Sequence, residues 1–126
     1  MGAIAGPSII VMMLTAMEHD LQSRISTKMD AQMLLSQQSI FLGNQKAMMF
    51  QQLSTLDPNS AQYKQMEASI NAFLQKEKVL QSYEKTLDME LKQLQTQLEI
   101  TQKRKEAEEK RLQQNIKTGF SYTLGN

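Results

Sequence analysis

The chain has 126 residues, room for one domain, and a formal net charge of +1, which gives no electrostatic reason to expect a nucleic acid or a strongly acidic partner. With no Cys and a single His, a disulfide framework and a thiolate metal site are excluded. Trp is absent, Pro occurs twice and Gly five times, while Gln, Leu, Met and Lys are used heavily, which disfavours sheet and a large globular core and favours an elongated all-α form.

The two halves differ in kind. Residues 1–56 carry only Glu18, Asp20, Arg24, Lys28, Asp30 and Lys46 as charges, yet hold eight of the ten Met. Most of the charge lies after residue 57.

The first dense apolar run is Ile9-Ile10-Val11-Met12-Met13-Leu14, extended by Ala16 and Met17. It is about nine or ten residues long, and a bilayer span needs roughly 20. No Lys or Arg precedes it and Glu18-His19-Asp20 follows, so it does not read as a cleaved signal either. The residues leave the location open between the cytoplasm and export by a route without a signal. Pro7 suits a first helical turn, and a helix is predicted from about residue 8. On a helix, residues 9–14 point in every direction, a pattern that demands burial on all sides. They fill the end of an intramolecular bundle, lie between subunits, or enter a membrane surface; the subunit contact is the preferred reading.

From Leu14 the residues Leu21, Lys28, Leu35, Leu42, Met49 and Leu56 recur every seven positions, with Ile25 and Leu53 four residues after two of them. This is a heptad seam. Met29, Met33, Leu34, Ile40, Phe41, Met48 and Phe50 fall off it. A hairpin covers one stripe only, so these side chains form a surplus whose burial is worth on the order of 10 kcal/mol. Met is a common core filler and is also frequent on surfaces that fit variable partners. Gly43-Asn44 predicts a kink or an uninterrupted pass, with a break or a close helix–helix approach as alternatives. The first helix is placed at about 8–55.

Ser54-Thr55-Leu56-Asp57-Pro58-Asn59-Ser60 collects turn formers between two periodic segments. A short connection makes long helices antiparallel neighbours. Asp57 is the preferred cap of the next helix, with Pro58 in its first position and Ser60 as the competing cap. The turn is placed at about 56–59 and the second helix at about 58–118.

That helix carries two rows. One is Tyr63, Ile70, Glu77, Glu84, Leu91, Leu98, Lys105 and Leu112; the other is Met66, Phe73, Leu80, Leu87, Leu94, Thr101 and Glu108. The predicted seam within the chain joins Leu21, Leu35, Leu42 and Met49 to Met66, Phe73, Leu80, Leu87, Leu94 and Leu98. Asp88/Lys92, Glu99/Lys103 and Glu106/Lys110 are acid-before-base pairs at helical spacing. Lys103-Arg104-Lys105 is interleaved with Glu106, Glu108 and Glu109, so it reads as a solvated face and not as a phosphate-binding strip. Gly119 is a stop signal. In the tail, 119–126, Phe120, Tyr122 and Leu124 alternate with small polar residues in a strand-like way. The predicted self-association residues are Ile9, Ile10, Val11, Met12, Met13, Leu14 and Met17, with Phe120, Tyr122 and Leu124.

Catalytic machinery is not legible. His19 stands alone, and there is no phosphate loop, no Ser/His/Asp set and no carboxylate pair in an apolar setting. The expectation is a protein that is not an enzyme, with no cofactor and no metal.

The Asp57-Pro58 reversal and the closing Leu112-Gln113-Gln114-Asn115-Ile116 resemble the needle and rod subunits of bacterial type III secretion and flagellar systems, which are small Cys-free helical hairpins with a Pro-containing turn. The resemblance implies export and polymerisation around a narrow channel. Taken together, the residues predict a long antiparallel coiled-coil-like hairpin that associates with copies of itself as a structural protein. The alternatives are an adaptor or secretion chaperone that binds another protein's helix, and a helix active at membrane surfaces.

Overall fold

The computed structural model describes the backbone of residues 2–124 and the side chains of residues 9–119. Two helices account for nearly all of it: α1, Gly2–Ser54, and α2, Ala61–Leu124. They pack against each other as a hairpin, and no strand occurs among the described residues.

α1 starts earlier than the sequence predicts. Pro7 lies inside it and not at its start. The cost is one backbone hydrogen bond in the second turn, where the missing N–H would have reached back four residues. Gly43 and Asn44 lie within the unbroken helix. A Cβ built on Gly43 meets nothing within 4 Å, so no neighbouring helix of this chain approaches closely there. Gly43→Ala is therefore expected to raise unfolding free energy by about 1 kcal/mol through helix propensity alone, as thermal or urea denaturation followed by circular dichroism will show.

The reversal is built from side chains. α1 closes with tight i−3 bonds, Thr55 N to Gln52 O and Leu56 N to Leu53 O, each 3.1 Å. The Ser54 and Thr55 hydroxyls donate to the carbonyls of Gln51 and Gln52 at 2.6 Å, filling acceptors that a helix end leaves open. Asp57 then makes a turn of its own. Its Oδ1 accepts from Asn59 N at 3.1 Å, and its carbonyl accepts from Ser60 N at 2.9 Å. Pro58 supplies the fixed φ that such a turn favours.

This corrects the expected cap. Asp57 spends its carboxylate on the turn, and Ser60 caps α2, its Oγ accepting from Tyr63 N at 3.1 Å. The helix accordingly begins at Ala61 and not at Pro58. Ser60→Ala is expected to cost about 1 kcal/mol and Ser60→Gly a few tenths, measured by the same denaturation.

At the other end α2 runs through Gly119 to Leu124. The predicted stop at Gly119 and the strand-like tail are both overturned in backbone. Five alternating residues have no partner strand, and continuing an existing helix fixes one residue per added bond. The side chains of Phe120, Tyr122 and Leu124, and all of Gly125 and Asn126, lie outside the described residues.

The seam follows a strict three–four spacing. In α1 it runs Val11, Leu14, Glu18, Leu21, Ile25, Lys28, Gln32, Leu35, Ser39, Leu42, Lys46, Met49, Leu53, and it ends at Leu56 beyond the helix. In α2 it takes both predicted rows and ends at Asn115. Every residue of these rows is buried or half-buried. A two-helix seam leaves most of its side chains open on one flank, so the fully buried set is small.

Contacts divide the hairpin into two units, each drawn from both helices. The unit of residues 28–90 holds the turn, and Ile70 and Phe73 are its buried core. Lys46 Nζ lies 3.1 and 3.3 Å from the two carboxylate oxygens of Glu77. Lys28 pairs with Glu90, and Gln32 Nε2 donates to Asp88 Oδ1 at 2.9 Å. These pairings descend one helix as they climb the other, so the helices here are antiparallel.

The second unit takes the residues up to 27 and those from 91 on. Leu14, Leu21 and Leu91 are its buried apolar residues, and Thr101 is its buried polar one. Glu18 and Lys105 face each other at 3.7 Å.

Candidate functional site

The side of α1 turned away from the seam is the feature that calls for a function. In the turn-bearing unit Met33, Leu34, Ile40, Phe41 and Met48 are each 60–64% exposed. Each follows a seam position (Gln32, Ser39 or Lys46) by one or two residues. At about 100° of rotation per residue this puts them roughly opposite the seam. Between residues 31 and 50 the only charged side chain is Lys46, and it is committed to Glu77 in the seam. The outward side is therefore uncharged, its exposed apolar side chains interleaved with Gln37 and Asn44.

The unit that holds the chain's beginning carries its own exposed group: Ile9, Ile10, Met12, Met13 and Met17. Of the predicted self-association residues there, these five are open and Val11 is half-buried. Leu14 is different. It is only 3% exposed, because its seven-residue row places it in the seam, so it is withdrawn from any contact with another molecule.

None of the predicted intrachain residues is exposed. Leu21 and Phe73 are buried, and Leu35, Leu42, Met49, Met66, Leu80, Leu87, Leu94 and Leu98 are half-buried on the seam rows. Sequence reasoning missed the half-buried polar residues at seam spacing in the first helix, Glu18, Gln32, Ser39 and Lys46, because an apolar pattern cannot reveal them. The signal that could have found them is charge. Glu18 and Lys46 stand at seam spacing, and Lys105 and Glu77 interrupt the opposite row.

α2 exposes Val79, Tyr83, Met89, Ile100 and Ile116. These are separated by irregular intervals and form no stripe; single exposed apolar residues are ordinary. The basic stretch after Ile100 is dissected. Thr101 is buried, Lys105 faces Glu18 in the seam, and Lys103 pairs with Glu99 at 3.2 Å. Arg104 alone of that cluster projects without a carboxylate at ion-pair distance among the described residues.

An open cleft of about 420 Å³ flanks the Lys46–Glu77 pair, between Asn71, Leu74, Gln75 and Lys78. Lys46 and Glu77 neutralise each other there, and Lys78 adds one positive charge to its lining. His19 is exposed, and no group of three His, Cys, Asp or Glu side chains among the described residues could hold a metal ion. No helix of the described residues is long and apolar enough to cross a membrane. No family model, no curated protein and no solved structure matches this chain.

Proposed function

We propose that the chain is a structural protein that works by assembling with copies of itself, with α1 supplying the contact. The observation that carries this is the imbalance between the helices. Among the described residues α1 leaves twelve large apolar side chains exposed and α2 leaves five. A helix with apolar side chains on opposite faces is suited to the interior of an assembly. Each such side chain gains roughly 1.5–3 kcal/mol on full burial, and about half of that when half is already covered. Exposed patches on this scale mark interaction surfaces in soluble proteins. The hairpin form, the Pro-containing turn and the absence of Cys agree with a subunit of a filament or of a secretion apparatus.

A second reading has its own support. Met12, Met13, Met17, Met29, Met33 and Met48 are all exposed, and Met-rich surfaces adapt to varied helical partners. On that reading the chain is an adaptor or secretion chaperone. Sedimentation velocity over a micromolar concentration series separates the two. A structural subunit sediments as a dimer or larger, with mass rising with concentration. A monomer across the whole series rules out self-assembly and leaves the adaptor.

A further inference from the structure

We infer that residues 33–48 of α1 pair with the same residues of a second copy, running antiparallel across a two-fold axis between Ile40 and Phe41. The inference rests on the self-assembly reading and names its contact. The motivating pattern is a near-palindrome on the uncharged outward face: Met33, Leu34, Gln37, Ile40, Phe41, Asn44, Ala47, Met48. Read from either end, the spacing is identical and the chemistry matches. Laid antiparallel on a copy of itself, Met33 meets Met48, Leu34 meets Ala47, Gln37 meets Asn44 and Ile40 meets Phe41.

Such self-complementarity is what a two-fold contact requires, since the same patch serves both partners. Leu over Ala sets a large side chain against a small one, which favours interdigitation. Gln37 and Asn44 are both exposed in the single chain, and opposite each other they place donor against acceptor. The two-fold axis makes this pairing twice, and polar pairs within an apolar seam fix register. Positions 33, 40 and 47, and likewise 34, 41 and 48, are seven apart, the repeat that lets a second helix follow the face.

The area is of the right size. Five side chains of roughly 200 Å² each, about 60% open, offer about 600 Å². Gln37, Asn44 and Ala47 bring this near the roughly 800 Å² per partner of a standard interface. The absence of charge excludes a partner chosen by opposite charge, and the palindrome selects a second copy over an unrelated helix.

The test uses full-length chain. Ile40→Glu combined with Phe41→Glu is expected to weaken dimerisation by at least about 100-fold in sedimentation, with helicity unchanged by circular dichroism because both side chains are exposed in the hairpin. The chain has no cysteine of its own, so orientation can be read by oxidation. Gln37→Cys mixed with Asn44→Cys is expected to form a disulfide between chains, and Gln37→Cys alone is not, because its two copies are then about 10 Å apart along the axis. A wild-type chain that is monomeric removes both the inference and the reading beneath it. A wild-type oligomer that survives the double Glu substitution, or that cross-links through Gln37→Cys alone, overturns this contact and leaves self-assembly standing.

Discussion

Phe73→Ala is expected to cost about 3 kcal/mol of unfolding free energy and to lower the melting temperature by on the order of 10 °C. Phe73 is one of five buried apolar residues among those described. The Lys46–Glu77 pair lies one helical turn away from it, and the register this sets brings Met49 and Leu53 of α1 to its level. Truncation there removes an aromatic side chain from a seam only two helices thick. With one flank of the seam open, water and neighbouring side chains can enter the gap, so the loss belongs at the lower end of the range for buried Phe. Met33→Ala is the control. Met33 is 63% exposed, so at concentrations where the chain is monomeric its truncation is expected to stay within about 0.5 kcal/mol. Equal effects at Phe73 and Met33 in chemical denaturation would show that the seam described above does not hold the hairpin together.

Reversing one charge of the Lys46–Glu77 pair is expected to have the next largest effect. Lys46→Glu sets two carboxylates against each other where an ammonium now sits 3.1 Å from Glu77 Oε1. Breaking a fully buried pair costs about 3–5 kcal/mol. Lys46 is about a third exposed, so solvent screening reduces the expected loss to about 2 kcal/mol. Lys46→Glu combined with Glu77→Lys restores the attraction with its polarity reversed and is expected to recover most of that loss. A double-mutant cycle in denaturant measures the coupling, for which about 3 kcal/mol is expected, the two single losses less the small residual loss of the double variant. Two single losses that simply add in the double variant would mean that the pair does not set the register. Glu18 and Lys105, which are less exposed but farther apart at 3.7 Å, play the equivalent part in the other unit.

Much of this hairpin could be read in advance, for a definite physical reason. An apolar row such as Leu80, Leu87 and Leu94 advertises its own burial through its period, and every member of the two α2 rows is buried or half-buried. The polar members of the α1 row were not legible that way. Ser39 and Gln32 look like any solvated residue until the opposite helix is in place. The cap was ambiguous because Asp57 and Ser60 are both good acceptors, and only the three-dimensional turn shows that Asp57 is already engaged by Asn59 N. The end of α2 was misjudged because Gly119 marks many helix ends, yet the helix runs through it to Leu124. The outward face of α1 was visible only as a surplus. Its palindrome became apparent once the seam fixed which side of the helix faces out.

The reversal at Pro58 also limits how copies of this chain can combine. Two hairpins could in principle open and trade arms if α1 and α2 fused into one continuous rod. That rod would force Asp57 into a helical backbone, which the following proline ring disfavours. It would also place Pro58 in a helix interior at a cost of about 3 kcal/mol. Each exchanged pair would carry that cost twice. Proline thus acts as a lock against arm exchange, and any polymer this protein forms is expected to be a stack of closed hairpins whose subunits can separate and rejoin without unfolding.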